Sequence, residues 1–435
     1  MKQVIQISAA AFLFLAFTHP ADAQSPPVAQ TETDEASPLQ ERADQVVAFI
    51  NGQTGHEELF TDAFLRAVPP QQLRTITNQL TSEFGAAVSV ESLDPSSANH
   101  AALSIRMERA IAKGGIAIDP ASENRVSELL LQSFVPLDDS IEKIETDLRG
   151  LNGTVTWWYG PVDGTTPPAA SSGSSSQMPI GSTFKLYVLA TLAREVAERK
   201  RAWSDSVTLR ELRSFPSGMM QDWPKAAPVT LHTLASLMIS ISDNTATDVL
   251  IDELGREAVL ETMIETGHSA PELSAPFLKT REMFLLKAGP EGRLNAYLRG
   301  DEEVKRQILD GIEDITLPNG RVEAAFSGAP IALDVEWFAS ANDIVNLMRY
   351  MLTTADPEAF EIMAINPSMS ADIKAKWAYA GYKGGSEPGV LNLSWLLQDT
   401  SGRAHALILS WRDDDLRFDP SALDLIAQRF LRITP

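Results

Sequence analysis

The alternation of apolar and polar residues divides the first part of the chain into a helical stretch followed by a run of strands. Between residues 40 and 84 the apolar positions recur with the spacing of helices. Apolar and polar residues then alternate in four segments separated by turn-forming residues, as in one antiparallel sheet: residues 87–93, 101–107, 115–118 and 126–134. Helices followed by a sheet predict a small α+β domain over residues 39–137.

A second unit is predicted from residue 138 to residue 435. It opens with an amphipathic helix over residues 140–148, a strand over 154–159 and a serine-rich loop over 165–176. Helical periodicity then continues for about a hundred residues. Strands return near the end of the chain and precede a closing helix: residues 382–385, 390–397 and 404–411, then 422–433. This order predicts a helical lobe beside an antiparallel sheet.

The N-terminus has the pattern of a secretory signal. Lys2 precedes an apolar run over residues 4–17, and small residues follow at Ala21 and Ala23. A membrane anchor is the alternative, but the run is short for the ~30 Å of a hydrocarbon core. The sequence therefore predicts a signal peptide over residues 1–23, a disordered linker over 24–38, and a periplasmic or secreted protein that is not held at a membrane after cleavage.

Charge and composition limit the kinds of partner and cofactor that the chain is expected to bind. The net charge of −22 at pH 7 disfavours binding to nucleic acid and to anionic membranes. The chain has no cysteine, so disulfides, thiolate metal sites and lipid attachment at cysteine are excluded. Its six histidines show no ligand spacing. We expect a small-molecule substrate, no metal and no cofactor, while the oligomeric state is left open.

The first candidate for chemistry is Ser182 with Lys185, at the start of a predicted helix whose apolar face includes Leu186 and Leu189. Residues three apart share one side of a helix, which places a hydroxyl beside an amine. An amine shielded from water can lose its proton and then accept the proton of the serine. By itself the pair is also compatible with a capping serine followed by a surface lysine.

Two further motifs follow in the chain. Ser242-Asp243-Asn244 comes after a helical segment, and Lys383-Gly384-Gly385 opens the late strands. Separately, they are compatible with a helix cap and a strand bulge. Ser-x-x-Lys, Ser-Asp-Asn and Lys-x-Gly in this order, however, form the set of class A β-lactamases and penicillin-binding proteins.

Residues 138–435 therefore resemble the class A β-lactamase family, in the branch with an extra N-terminal domain. The resemblance implies that Ser182 is the acylated nucleophile, that Lys185 is its base and that Ser242 passes a proton to the leaving nitrogen. It also implies substrate-binding roles for Asn244, Gly384, Gly385 and Ser386, and a catalytic role for Lys383, which attracts the substrate carboxylate and supports Ser242. The amides of Ser182 and Ser386 are then the expected oxyanion hole. The N-terminal domain resembles the cystatin or NTF2 group, in which a curved sheet wraps a helix.

The chain departs from this family at two places. Gly384 stands where the family usually has threonine, so the hydroxyl that assists recognition of the substrate carboxylate is missing. Ala270 stands where the deacylating glutamate belongs, and the possible substitutes are Glu272 and Glu282. The expected function is an acyl-enzyme hydrolase with slow deacylation, acting on β-lactams or related amides and esters. A penicillin-binding or esterase activity at the same serine, and a β-lactam sensor without turnover, are the alternatives.

Overall fold

The computed structural model describes residues 37–137, 139–210, 213–215, 217–315, 320–415 and 419–433. Two compact units divide the chain between Asp139 and Ser140. The predicted signal peptide and most of the predicted linker lie outside the described residues. The first helix begins at Pro38 and is capped by the side chain of Ser37, so the end of the predicted linker is already ordered.

The N-terminal unit is an α+β domain, as the sequence pattern predicts. Its elements are α1 (Pro38–Ile50), α2 (His56–Leu59), α3 (Asp62–Ala67), α4 (Pro70–Phe84), β1 (Ala87–Pro95), β2 (His100–Met107), β3 (Ala110–Asp119) and β4 (Arg125–Pro136). The strands form an antiparallel sheet in the order β1-β2-β3-β4. Ala43 and Val46 on one face of α1 are fully buried in the core shared with the sheet. The resemblance to cystatin or NTF2 proteins stays a prediction.

The second unit combines a helical lobe with a five-stranded sheet. Its helices are α5 (Ile141–Gly150), α6 (Lys185–Ala197), α7 (Leu231–Ser240), α8 (Asn244–Leu254), α9 (Arg256–Glu265), α10 (Thr280–Lys287), α11 (Glu291–Arg299), α12 (Glu302–Asp310), α13 (Arg321–Phe326), α14 (Ala341–Thr354), α15 (Glu358–Ala364), α16 (Ala371–Lys374) and α17 (Pro420–Arg432). None of the helices in the described ranges has the length and apolarity needed to cross a membrane.

The strands of the second unit are β5 (Thr154–Pro161), β6 (Ala170–Ser172), β7 (Met178–Pro179), β8 (Ser206–Thr208), β9 (Pro228–Thr230), β10 (Phe338–Ala339), β11 (Tyr379–Glu387), β12 (Val390–Gln398) and β13 (Ala404–Arg412). The main sheet has the order β11-β12-β13-β5-β6 and is antiparallel. Both of its faces are covered, one by α5 and α17 and the other by the helical lobe, so β12 and β13 are apolar almost throughout. This confirms the predicted helical lobe beside an antiparallel sheet.

Two local expectations need correction. The helix that follows Ser182 is not amphipathic, because helices α7, α8, α9, α14 and α15 surround α6 and every side chain from Lys185 to Ala193 is buried. The serine-rich segment is not simply a loop, because Ala170–Ser172 pairs with β5 as an edge strand. Both differences arise from tertiary packing that supplies partners which the local pattern cannot show.

The end of β11 lies against the turn that carries Ser182. A Cβ atom on Gly385 would lie 2.1 Å from the carbonyl oxygen of Ile180 and 2.5 Å from the amide nitrogen of Ser182. Gly181 has φ of +47°, and a Cβ there would lie 2.9 Å from the nitrogen of Ser386. Only glycine lets the two backbones approach this closely.

We predict that Gly385→Ala lowers the free energy of unfolding by about 1–3 kcal/mol, because the added methyl group meets backbone atoms that cannot rotate away. Chemical denaturation monitored by circular dichroism measures this change. Gly292→Ala is the matched control, since nothing lies within 4 Å of a Cβ at this position of α11. The control should be neutral or stabilise by up to ~1 kcal/mol, and equal stabilities of the two variants would contradict the prediction.

We also predict that residues 138–435 fold without the N-terminal unit, because each unit has its own hydrophobic core. The isolated fragment should be soluble and should unfold in one cooperative transition, measured by differential scanning calorimetry. A fragment that aggregates, or that lacks a cooperative transition while the full chain shows one, would contradict this prediction.

Candidate active site

Ser182 lies in a 3₁₀ turn, Gly181–Phe184, that leads directly into α6. A 3₁₀ turn has three residues per turn, so Ser182 and Lys185 are eclipsed and project to the same side. Ser182 is half-buried, and its hydroxyl makes no hydrogen bond to another described residue. The nucleophile predicted from the sequence is therefore accessible and lies at the N-terminal end of a buried helix.

Lys185 is fully buried, and its amine contacts three oxygen atoms. Nζ lies 2.6 Å from the carbonyl oxygen of Ser242, 2.7 Å from Asn244 Oδ1 and 3.0 Å from Ser242 Oγ. Burial and the nearby ammonium group of Lys383 lower the pKa of Lys185 well below its usual value. No carboxylate among the described residues is hydrogen-bonded to this amine, and the negative charges of Asp248 and Asp243 oppose the lowering of its pKa without cancelling it.

When Lys185 is neutral, two of its contacts use its N–H groups, and its lone pair points to the third contact, a hydroxyl group. A neutral amine has two N–H groups and one lone pair, and the carbonyl oxygen of Ser242 and Asn244 Oδ1 can only accept hydrogen bonds. The amide orientation of Asn244 is fixed, because its Nδ2 donates to the carbonyl oxygen of Phe215 at 3.0 Å. The lone pair of a neutral Lys185 therefore faces its third contact, Ser242 Oγ at 3.0 Å, and a free lone pair is what a general base requires.

Ser242 lies between α7 and α8 in a strained conformation. Its φ of +59° is unusual for a residue other than glycine. The Ser217 hydroxyl donates to the carbonyl oxygen of Ser242 at 2.7 Å. Asp243 caps α8 by accepting the amide of Ala246 and also accepts hydrogen bonds from the amides of Met219 and Met220, and these three distances are 2.7–2.9 Å.

This scaffold around Ser242 was not predicted from the sequence. Asp243 could be identified as a helix cap, but its bonds to residues 219–220 bring in a loop that carries no recognisable motif. Ser217 and Phe215 hold Ser242 and Asn244 from the same loop. No spacing signal links these residues, because only the fold brings them to the site.

Lys383 reaches the same hydroxyl from the sheet. Its Nζ lies 3.1 Å from Ser242 Oγ and also donates to the carbonyl oxygen of Gly384. Burial lowers the pKa of Lys383 to about 7. Ser242 Oγ therefore lies between two buried amines, and the structure brings together Lys185, Ser242, Asn244 and Lys383 from helices α6 and α8, the preceding loop and strand β11.

The three residues after Lys383 occupy different surroundings. A Cβ on Gly384 would lie 2.2 Å from the hydroxyl oxygen of Tyr382, so the tyrosine side chain fills the space that a threonine would need. Gly385 packs against the backbone at Ser182, which brings the amides of Ser182 and Ser386 to neighbouring positions. Two amides from adjacent backbone segments are suited to hold a developing oxyanion.

Neither of the proposed substitutes for the missing glutamate lies in the network of described contacts around Ser182. Glu282 is buried at the start of α10, where it binds Arg256 at 2.7 Å and accepts the amide of Lys279 at 2.7 Å. Glu272 is exposed in the 3₁₀ turn Pro271–Ser274, which follows Ala270. This turn is tied to the strand pairing near Ser182 through Ser274, which accepts the amide of Phe338 at 3.1 Å.

Asp248, a buried carboxylate close to this network in sequence, is also hydrogen-bonded to other groups. Asp248 binds the amides of Thr280 and Arg281 and the Thr280 hydroxyl, at 2.6–2.9 Å. Burial raises its pKa to about 6. Within the described residues, no group of three or more acidic or histidine side chains is arranged to hold a metal ion.

Comparison with solved structures finds proteins of related fold at low identity. A β-lactamase from Sphaerobacter thermophilus is 20% identical over 68% of this chain and 100% of its own, with a TM-score of 0.45. A β-lactamase from Chitinophaga pinensis is 12% identical over 67% and 96%, with a TM-score of 0.46. A mutant of PBP-A, solved as an acyl-enzyme complex with penicillin G, is 17% identical over 67% and 94%, with a TM-score of 0.44.

A search of curated proteins finds no match. The model of the beta-lactamase enzyme family, in contrast, matches residues 136–392. This range is more than half of the 435 residues and includes every residue of the network around Ser242. By sequence, this chain belongs to the beta-lactamase enzyme family.

Proposed function

We propose that the protein is a serine hydrolase that forms an acyl-enzyme on Ser182 with β-lactams or with related amides and esters. The observation that carries the proposal is the position of Ser242 Oγ, 3.0 Å from Lys185 Nζ and 3.1 Å from Lys383 Nζ. A buried amine with a lowered pKa is a competent base near neutral pH. Export to a periplasm or out of the cell, as the N-terminal pattern predicts, belongs to the same proposal.

In the proposed acylation, Ser182 Oγ attacks the carbonyl carbon of the substrate while Lys185 takes the hydroxyl proton. The oxyanion is held by the amides of Ser182 and Ser386. When the intermediate collapses, the bond from carbon to the leaving nitrogen or oxygen breaks, and Ser242 gives its proton to the leaving atom. Lys185 then returns a proton to Ser242, so both groups end as they began.

Substrate recognition is proposed to depend on Lys383 more than on residue 384. Lys383 supplies the positive charge for a substrate carboxylate, but two of its hydrogen-bonding positions are already used by Ser242 Oγ and the carbonyl oxygen of Gly384. Gly384 offers no hydroxyl, and Tyr382 blocks the space for one. The site therefore suits substrates with a weakly anionic or neutral group at this position.

Deacylation is proposed to be slow. Hydrolysis of an acyl-serine needs a base that activates water, and the carboxylates of Asp243, Asp248 and Glu282 are all engaged with amides or with arginine. Ala270 has no carboxylate to offer. A penicillin-binding activity, in which the acyl-enzyme persists, is therefore the second candidate, and this absence of a free buried carboxylate among the described residues favours it.

We predict that a fluorescent penicillin or a fluorophosphonate labels Ser182 alone. Ser182→Ala should abolish labelling, and Lys185→Ala should slow it by about 10²–10⁴ because a positioned base is lost. Peptide mass spectrometry after labelling locates the adduct. The exposed Ser175→Ala is the control and should be labelled at the rate of the unmodified protein. Equal labelling of Ser182→Ala would assign the nucleophile to another residue, and a chain that no probe labels would favour a sensor without acylation.

We predict that excess penicillin gives a burst of product near one equivalent and then a slow phase. The reason is that acylation through Lys185 is intact, whereas a general-base contribution of about 10²–10⁴ is missing from deacylation. Stopped-flow absorbance measures the burst, and intact mass spectrometry measures how long the adduct persists. Ala270→Glu should shorten that lifetime. Glu282→Gln should lower stability without changing the lifetime, because Glu282 is bound to Arg256.

Rapid turnover without a detectable adduct would contradict slow deacylation. In that case Glu272→Gln tests whether the exposed glutamate supplies the base when substrate is bound. A longer adduct lifetime in this variant would identify Glu272 as the base.

A further inference from the structure

A second buried group of charged side chains lies outside the network around Ser242. Lys287 at the end of α10, Glu336 before β10 and Glu387 at the end of β11 have side chains that are 0%, 1% and 6% exposed. Lys287 Nζ lies 2.5 Å from Glu387 Oε1 and 3.7 Å from Glu336 Oε1. The two carboxyl groups also lie close enough to influence each other's pKa. These three residues are called the buried cluster below.

The charges of the buried cluster require a shared proton. One ammonium cannot balance two carboxylates, and a net negative charge without solvent is strongly disfavoured. Burial and the neighbouring Glu387 accordingly raise the pKa of Glu336 to about 8, and burial raises the pKa of Glu387. Near neutral pH one of the two carboxyl groups of the cluster is therefore a neutral acid.

The cluster is connected to one half of the proposed oxyanion hole through β11. Glu387 directly follows Ser386, whose amide is proposed to bind the oxyanion. Glu387 lies at the end of the strand, opposite Val390, where the chain turns back. The bond from Lys287 therefore holds this strand end against α10.

The cluster is connected through Trp337 to the other half of the proposed oxyanion hole, the turn that carries Ser182. Glu336 accepts the amide of Trp337 at 3.2 Å, and the indole ring of Trp337 stacks on Phe184 with ring centroids 3.7 Å apart. The carbonyl oxygen of Trp337 accepts the amide of Ile180 at 3.0 Å. Trp337 thus contacts the 3₁₀ turn of Ser182 on both sides of the serine.

We infer that Lys287, Glu336 and Glu387 act as positioning residues that hold the two amides of the oxyanion hole, at Ser182 and Ser386, in register. This inference rests on the proposed acylation of Ser182 for its catalytic meaning. The geometric part, a connection from one proton-sharing cluster to both backbone segments, stands on the contacts alone. The shared proton makes the connection sensitive to pH.

Other charged groups near the cluster have their own partners. Glu282 on α10 binds Arg256, and Arg321 on α13 donates to the carbonyl oxygen of Ala288. Asp334, before β10, binds Arg412, and Lys383 on β11 binds Ser242. The 3₁₀ turn of Ser182 contributes no charged side chain to the cluster. Phe326 of α13 presents its ring 6.0 Å from Lys287 Nζ.

The expected direction of the pH effect follows from the protons bound. Glu336 takes up a proton more strongly in the folded chain than in the unfolded chain, so its contribution to stability is full below about pH 4.5 and is lost as the pH rises through about 8. Above that pH the cluster becomes negative, which opposes a developing oxyanion at Ser386. Acylation should therefore decline through this range for a reason separate from Lys185, whose loss of a proton favours a base. Lys383, with a pKa of about 7, loses its charge in every protein compared below and so does not distinguish them.

The test measures acylation by a fluorescent penicillin between about pH 6 and pH 10 in four proteins: the unmodified chain, Glu336→Gln, Lys287→Met and the control Glu291→Gln, whose residue is exposed on α11. Glu336→Gln cannot ionise, so the alkaline decline should be smaller in this variant than in the unmodified chain and should be unchanged in the control. Lys287→Met should acylate at least about tenfold more slowly at neutral pH. Complete loss of one oxyanion donor lowers the rate by about 10²–10³, and a misplaced donor should lose part of that factor. Parallel pH profiles in the unmodified chain and Glu336→Gln would overturn the inference.

Hydrogen exchange gives a readout that does not depend on acylation. In Lys287→Met the peptides covering residues 178–184 and 383–390 should both exchange faster than in the control, including the amide of Ile180. Unchanged exchange in both peptides of a folded variant would overturn the inference even if no probe labelled the chain. If Lys287→Met does not fold, the same comparison at about pH 9 between the unmodified chain and Glu336→Gln decides, with slower exchange expected in the variant.

Discussion

The burial of an amine without a carboxylate partner is the constraint on which the candidate site depends. Lys185 lies in the centre of the helical lobe, where an ammonium ion loses its hydration and gains no ion pair with any residue that the structure describes. The fold meets this cost with neutral oxygens from Ser242 and Asn244. The positive φ of Ser242, the cap made by Asp243 and the loop around Ser217 all serve to present those oxygens. The strain at Ser242 is thus part of what holds an amine ready to accept a proton.

The second constraint is the close approach of two backbones. Gly385 and Gly181 let β11 touch the turn of Ser182, and this contact places the amides at Ser182 and Ser386 beside each other. The side chains around them form two separate systems. In the first system, the amines of Lys185 and Lys383 both contact the hydroxyl of Ser242. In the second, the carboxyl groups of Glu336 and Glu387 both lie near the amine of Lys287. Each system can change its protonation near neutral pH, so the chemistry and the geometry of the site are expected to depend on pH in opposite directions.

The carboxylates of the second unit explain why slow deacylation is the favoured expectation. A base for water must be both close to the ester and free to take a proton. The described buried carboxylates near the network satisfy helix ends or arginine, as Asp243, Asp248 and Glu282 do. Their burial and bonding make them parts of the scaffold. The family model gives the class of protein, and the proposal of slow deacylation rests on how these carboxylates are bound.

The sequence by itself determined the order of elements and the set of reactive residues. The apolar pattern identified the four strands of the N-terminal sheet and four of the five strands of the main sheet, but not the edge strand β6. The motif spacing selected Ser182, Lys185, Ser242 and Lys383. Tertiary structure alone decided that α6 is buried on all sides and that Tyr382 occupies the space beside Gly384. It also decided that Lys287, Glu336 and Glu387 share one buried volume. Local patterns report the neighbours of a residue along the chain, whereas desolvation, steric exclusion and shared protons depend on neighbours that are distant in sequence and close in space.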